Sequence, residues 1–213
     1  MHIEFLVEDK SGQILIEYLV PKIIGASGTP HTWRVHSYKG IGHLPSDLNA
    51  KHDPAKRVLL NNLPRVLKGY ARSSGIDAVV VVLDVDNKNC VDFLAELNSL
   101  AASCNMPKTL FRLAIEEVEA WYLGDREAIN HAFSSFKAHH LNSYAQDSIC
   151  GTWELLANAI YPGGVAKIKK AGWPLPGQVK CEWAEKIPKH MNIQVNQSPR
   201  VQTHKIIVMI SEL

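Results

Sequence analysis

Ala78-Val79-Val80-Val81-Val82-Leu83-Asp84-Val85-Asp86-Asn87 is the stretch that decides the fold class. Its first six residues are apolar, and four of them are β-branched. A strand with one wet face alternates apolar and polar residues. An unbroken apolar run belongs instead to a strand covered on both faces, as in a parallel sheet. The run ends in Asp84 and Asp86. Side-chain direction repeats every second residue along a strand, so an Asp-x-Asp at its end sends both carboxylates to one side.

Upstream, residues 3–7 form a short apolar run that stops at Glu8-Asp9. Ile14, Leu15, Tyr18, Leu19 and Ile23 then recur at helical spacing, with Ser11 as the expected cap and Pro21 as a site where the helix kinks or ends. A short strand is predicted at 32–37 inside a Gly-, Pro-, Ser- and His-rich stretch. The spacing of Val58, Leu59, Leu63, Val66, Leu67 and Tyr70 predicts an amphipathic helix from Pro54 to Ser73, despite Pro64. Downstream, a helix is predicted at 90–104 and a strand at 110–115. A largely helical segment with a break near Gly124 follows. Strands alternating with helices predict an α/β fold with a mainly parallel sheet flanked by helices over residues 1–136. Residues 137–213 are rich in Gly, Pro and Trp and show helical patches at 152–160, 182–191 and 202–213. They are expected to form a mostly helical C-terminal extension packed on the core, within a single domain.

The 213 residues suffice for one proper core, and 46% hydrophobic with 21% charged residues is ordinary for a globular chain. Net charge is only +2, but its distribution is uneven. Residues 84–128 carry nine acids against four bases, and residues 151–213 carry eight bases against four acids. An acidic centre beside a basic tail suits a metal site next to a surface for a polyanion; ordinary solvated faces explain it equally well. Cys90, Cys104, Cys150 and Cys181 are far apart and form no zinc or disulfide pattern. The ten histidines show no HxH, HxxxH or HExxH spacing, and no GxxxxGK[ST] or GxGxxG loop occurs. Apolar runs are far shorter than the roughly 20 residues of a spanning helix, and the N-terminus lacks a signal-peptide pattern. A cytoplasmic protein with no membrane partner is the expectation.

Three acidic clusters follow predicted strands. Glu8 follows the first, and Asp84 and Asp86 end the apolar one. Glu116, Glu117 and Glu119 follow the next. Ligands of open parallel sheets bind beyond the carboxyl ends of the strands. If the first and third strands are neighbours, Glu8, Asp84 and Asp86 meet in one crevice. There they would repel one another and raise their own pKa values. A hard cation relieves that conflict, and magnesium favours octahedral oxygen ligation by one or two carboxylates with water. The alternative is that Asp84 and Asp86 cap the next helix. Glu119 is a candidate general base, whereas Glu116 and Glu117 read as a charged first helical turn with Trp121 and Leu123 in the core. Lys167, Lys169, Lys170 and Lys180, with Trp173 and Trp183 among them, suit a phosphate-binding, base-stacking surface; solvated lysines and core tryptophans are the commoner explanation.

The order of these elements resembles the Toprim fold of topoisomerases, DnaG-type primases and OLD-family nucleases. That pattern has a Glu closing the first strand and a DxD closing a later one, here Glu8 and Asp84-Val85-Asp86. The chain is more closely similar to a Toprim-like family of bacterial domain-of-unknown-function proteins, often encoded beside ATPase genes. The likeness extends to Glu119-Ala-Trp-Tyr-Leu-Gly-Asp125 and to Glu185-Lys186-Ile187, Met191 and Ser198-Pro199. The family's VEG reads Val7-Glu8-Asp9 here, and Arg200-Val201 stands where Ser-Phe follows Ser-Pro. The resemblance implies a divalent-metal-dependent phosphodiesterase or nuclease acting on nucleic acid in phage or mobile-element defence, with an ATPase protein partner. Glu8, Asp84 and Asp86 would hold Mg2+ or Mn2+, and Glu8 or Glu119 would manage proton transfer. A catalytically inactive, partner-binding subunit is the alternative. Haloacid dehalogenase chemistry also uses a DxD after an apolar strand, but Asn87 and the residues after Gly124-Asp125 depart from its pattern.

Overall fold

The computed structural model describes residues 1–45, 47, 54–85, 88–106, 108–114, 117–146, 148 and 151–194. Asp86, Asn87, Glu116, Cys150, Ser198-Pro199, Arg200-Val201 and the helix expected at 202–213 lie outside them.

The apolar run becomes β3 (Ala78–Asp84). It lies between β1 (His2–Val7) and β4 (Thr109–Ala114), with β2 (Thr32–Ser37) on the far side of β1. The order is β2-β1-β3-β4, and every pairing is parallel. The fold is thus α/β, with a four-stranded parallel sheet flanked by helices. Both faces of β3 are covered, which is why it tolerates no polar alternate. Val80 and Val82 join Phe5, Leu15, Trp121 and Trp183 in one apolar cluster. Val79, Val81 and Leu83 join Leu6, Leu63 and Leu97 in the other. A buried polar exception sits in β1, where Glu4 accepts from His2 Nε2 at 3.0 Å and His36 Nε2 at 2.6 Å.

α1 (Lys10–Ile24) runs through Pro21 instead of ending there. The ring removes a hydrogen bond to the Glu17 carbonyl, at an exposed position of the helix. The Gly25 N–H then donates to the Pro21 carbonyl at 3.1 Å and closes the helix. α2 (Leu59–Ala71) starts later than the sequence suggests, after a 3-10 turn at Pro54–Lys56. Its start is set by the preceding loop: the Gly40 and Ile41 carbonyls accept from Leu59 and Leu60 N–H at 3.0 and 2.9 Å. α3 (Cys90–Ser103) leads into β4. After β4 come α4 (Glu119–Leu123) and α5 (Arg126–Ala132), separated at Gly124 as expected.

The C-terminal region is helical: α6 (Thr152–Ile160), α7 (Gly164–Ala171) and α8 (Leu175–Lys186). α8 begins seven residues before the predicted patch, because Pro176 is tolerated in a first turn, where its missing N–H has no intrahelical partner. Its Val179, Trp183 and the following Ile187 belong to the same apolar cluster as Ile3 and Leu15. Cys90, Cys104 and Cys181 are free thiols. Among the described residues, no helix is long and apolar enough to cross a membrane.

Candidate metal and phosphate site at the sheet edge

The strand order creates a switch point. From β1 the chain crosses toward β2, and from β3 it crosses toward β4, so the carboxyl ends of β1 and β3 diverge around a crevice. Val7 pairs with Val82 and Asp84 with Ala114, so Glu8, Asp84 and the 117–119 segment all emerge at one edge.

Asp84 does not cap the helix that follows it. Asn89 does, accepting from Val91 and Asp92 N–H at 2.9 and 3.3 Å. Asp84 Oδ1 instead accepts from Val118 N–H at 3.1 Å, which ties β3 to the segment after β4. Asp9, and not Ser11, caps α1: its Oδ1 accepts from Gly12 N–H at 2.7 Å, and the Ser11 hydroxyl donates to the same carboxylate at 2.9 Å. A Cβ at position 12 would stand 3.3 Å from Asp9 Oδ1, so the glycine at 12 gives the cap its close approach. The Asp9 carboxylate is thus spent on the helix start.

Glu119 opens α4 and is only 1% exposed. Its Oε1 lies 3.5 Å from Lys180 Nζ, and its buried Oε2 has no hydrogen-bond partner among the described residues. Glu117 is no solvated helical acid. It precedes α4, its Oε1 lies 2.8 Å from Lys180 Nζ, and its Oε2 accepts from Trp153 N–H at 3.2 Å. Asp125, the end of the Glu119–Asp125 motif, is structural: it accepts from Ala128 N–H at 3.0 Å and Asn192 N–H at 2.8 Å.

The charges act on one another. Burial, then the Glu8 and Glu119 carboxylates, raise the Asp84 pKa well above the usual carboxylate range; Glu117 adds to this and Lys180 opposes it. Burial likewise pushes Glu119 up to about 7, with Lys180 opposing and Glu117 and Asp9 reinforcing. Burial works against the Lys180 ammonium, but Glu119, Glu117 and Asp84 outweigh it and hold the lysine charged.

Glu8, Asp84 and Glu119 therefore share one electrostatic neighbourhood, while Asp86 lies outside the described residues. Glu117 and Lys180 are members that sequence reasoning did not assign. Lys180 carried a faint signal: it precedes the buried Trp183 and Ala184 by three and four residues, and so lies toward the inward face of α8. The basic cluster around it is not a single surface. Trp183 is 1% exposed and belongs to the core, Lys169 pairs with Glu154 at 3.0 Å, and Lys167 and Lys170 are exposed on α7. Trp173, by contrast, is 85% exposed.

Among the described residues, no three His, Cys, Asp or Glu side chains converge on a metal position. The donor set is nonetheless chemically suited to magnesium: all-oxygen, with one orphaned buried Glu119 oxygen, for an ion that needs only one or two protein carboxylates and keeps its waters. Glu8 and Lys180 open onto a cleft of ≈ 1010 Å³ between α8 and the Glu8–Asp9 turn. No protein-family model, curated protein or solved structure matches the chain.

Proposed function

We propose that the protein is a divalent-metal-dependent phosphodiesterase acting on nucleic acid. The observation that supports it is the crowding of Glu8, Asp84 and Glu119 beside Lys180 at the switch point, where Glu8 and Lys180 line a cleft. Carboxylates that repel one another are held together at a cost, and that cost is recovered when a cation binds. Glu8, Asp84 and Asp86 would hold Mg2+ or Mn2+, which supplies charge neutralisation at a phosphoryl oxygen. Glu119, with its pKa near neutrality, is suited to take or give a proton at its orphaned Oε2. The Lys180 ammonium is suited to offset charge that develops on the phosphate. A role in phage or mobile-element defence beside an ATPase rests on the Toprim-like resemblance alone.

The test is cleavage of plasmid and single-stranded DNA and RNA with Mg2+ or Mn2+. Wild type should cut, and Asp84→Asn and Asp86→Asn should not; equal activity in all three overturns the reading.

A second reading is a non-catalytic partner-binding subunit, favoured by the position of Lys180. Its ammonium already neutralises Glu117 and Glu119. On this reading calorimetry detects no Mg2+ binding that depends on Glu8.

A further inference from the structure

We propose that the cleft between α8 and the turn after β1 binds single-stranded nucleic acid, with the Trp173 indole stacking on an unpaired base. The proposal names the substrate class of the site above and rests on that reading of it.

Trp173 is exceptional in its own chain. Trp121 and Trp183 are 2% and 1% exposed, whereas Trp173 is 85% exposed; among the described residues the other exposed large hydrophobic is Val91. An exposed indole offers a flat, rigid face to a ligand, and this one borders a cleft. Its setting on α8 is close. A Cβ at Gly177 would stand 3.1 Å from both Cη2 and Cζ3 of the indole, so the glycine lets the ring approach the helix.

Trp173 lines the same cleft as Glu8 and Lys180, with Lys10 and Lys39. Lys10 and Lys39 are exposed and neither forms an ion pair among the described residues; Lys10 Nζ donates to the neutral Gln13 Oε1 at 3.2 Å, so both charges can meet phosphates. The cleft also carries the acids Asp9, Glu182 and Glu185; Asp9 accepts from Gly12 N–H at 2.7 Å as the cap of α1, and Glu182 is bound to Lys186 at 2.6 Å. A wall of mixed sign with an aromatic platform favours a ligand held by stacking as well as charge. A duplex keeps its bases stacked inside, whereas a single strand offers their faces. A base on Trp173 leaves its backbone in the cleft that Glu8 and Lys180 also line.

The experiment uses the full chain in EDTA, so that binding is read without cleavage. A labelled single strand of about 12 nucleotides and the matching duplex are titrated by fluorescence anisotropy. Wild type should prefer the single strand, with affinity falling as salt rises. Trp173→Ala should weaken single-strand binding about tenfold or more, and Trp173→Phe should recover most of it. Unchanged thermal unfolding of Trp173→Ala, expected for an exposed side chain, shows that the loss is local. Equal binding by wild type and Trp173→Ala overturns the proposal, as does absence of single-strand binding, the outcome expected if the indole instead docks a protein. Trp173-dependent binding without cleavage under any metal overturns the catalytic reading and leaves the docking site standing. Cleavage with Trp173-independent binding does the reverse.

Discussion

The Lys180 ammonium lies 2.8 Å from Glu117 Oε1 and 3.5 Å from Glu119 Oε1, and so joins α8 to the segment that follows the last strand. The three side chains are largely or wholly buried, at 20%, 16% and 1% exposure. One cation thus holds two carboxylates that the fold has taken out of water.

Removing that cation leaves the carboxylates without it. Lys180→Met should destabilise the protein by about 3 kcal/mol, the usual cost of breaking a buried pair from one side. Urea unfolding measures it. Adding Glu117→Gln and Glu119→Gln to Lys180→Met should recover part of the loss, because no buried charge then remains unpaired. Strict additivity would contradict a shared network.

Glu119 predicts a pH dependence of a definite sign. Its carboxyl, raised from 4.5 to about 7, binds its proton more tightly in the folded chain than in the unfolded one. The group's contribution to stability is therefore present at low pH, falls as pH rises from about 4.5 to about 7, and stays lost above that. The span is about 3 kcal/mol at most. The difference between wild type and Glu119→Gln, taken from urea midpoints at pH 5 and pH 8, isolates it. Asp84 acts in the same direction.

Asp84→Asn should separate stability from function. The amide oxygen can still accept from Val118 N–H while one crowded charge is gone. Stability at pH 8 should rise by about 1 kcal/mol or more, the worth of a single pKa unit. Calorimetric Mg2+ binding should disappear in the same variant. A stability loss at pH 8 would count against the crowding.

Asp9→Ala should cost about 1 kcal/mol, since it deletes the cap of α1, whereas Asp9→Gly should cost only a few tenths. Thermal unfolding of the two variants checks this. If Asp9 instead served the site, both would lose metal binding alike.

Much of the framework was legible in the chain itself. The 78–83 run, with its four β-branched residues, has the pattern of a covered strand, and Asp84 at its end is a matter of counting. Gly124 between two helical patterns marked a real break. Ser11 and Asp9 are both competent caps of α1, and only the close approach at Gly12 chooses Asp9. Trp173 and Trp183 looked alike on paper; one is exposed and the other is core. Pro21 marks a kink or an end by its chemistry, and the helix continues through it to Ile24.

By itself, then, the sequence determined the α/β class, the covered central strand, and the placing of Glu8 just after one strand and Asp84 at the end of another. Those are local matters, set by side-chain periodicity over a few residues. Only the tertiary structure decided that β1 lies beside β3, that Glu117 meets Lys180 across 63 positions, and that Trp173 stands at the mouth of the same cleft. Those depend on where crossovers carry the chain and on which helix face meets the sheet edge. No local period encodes either.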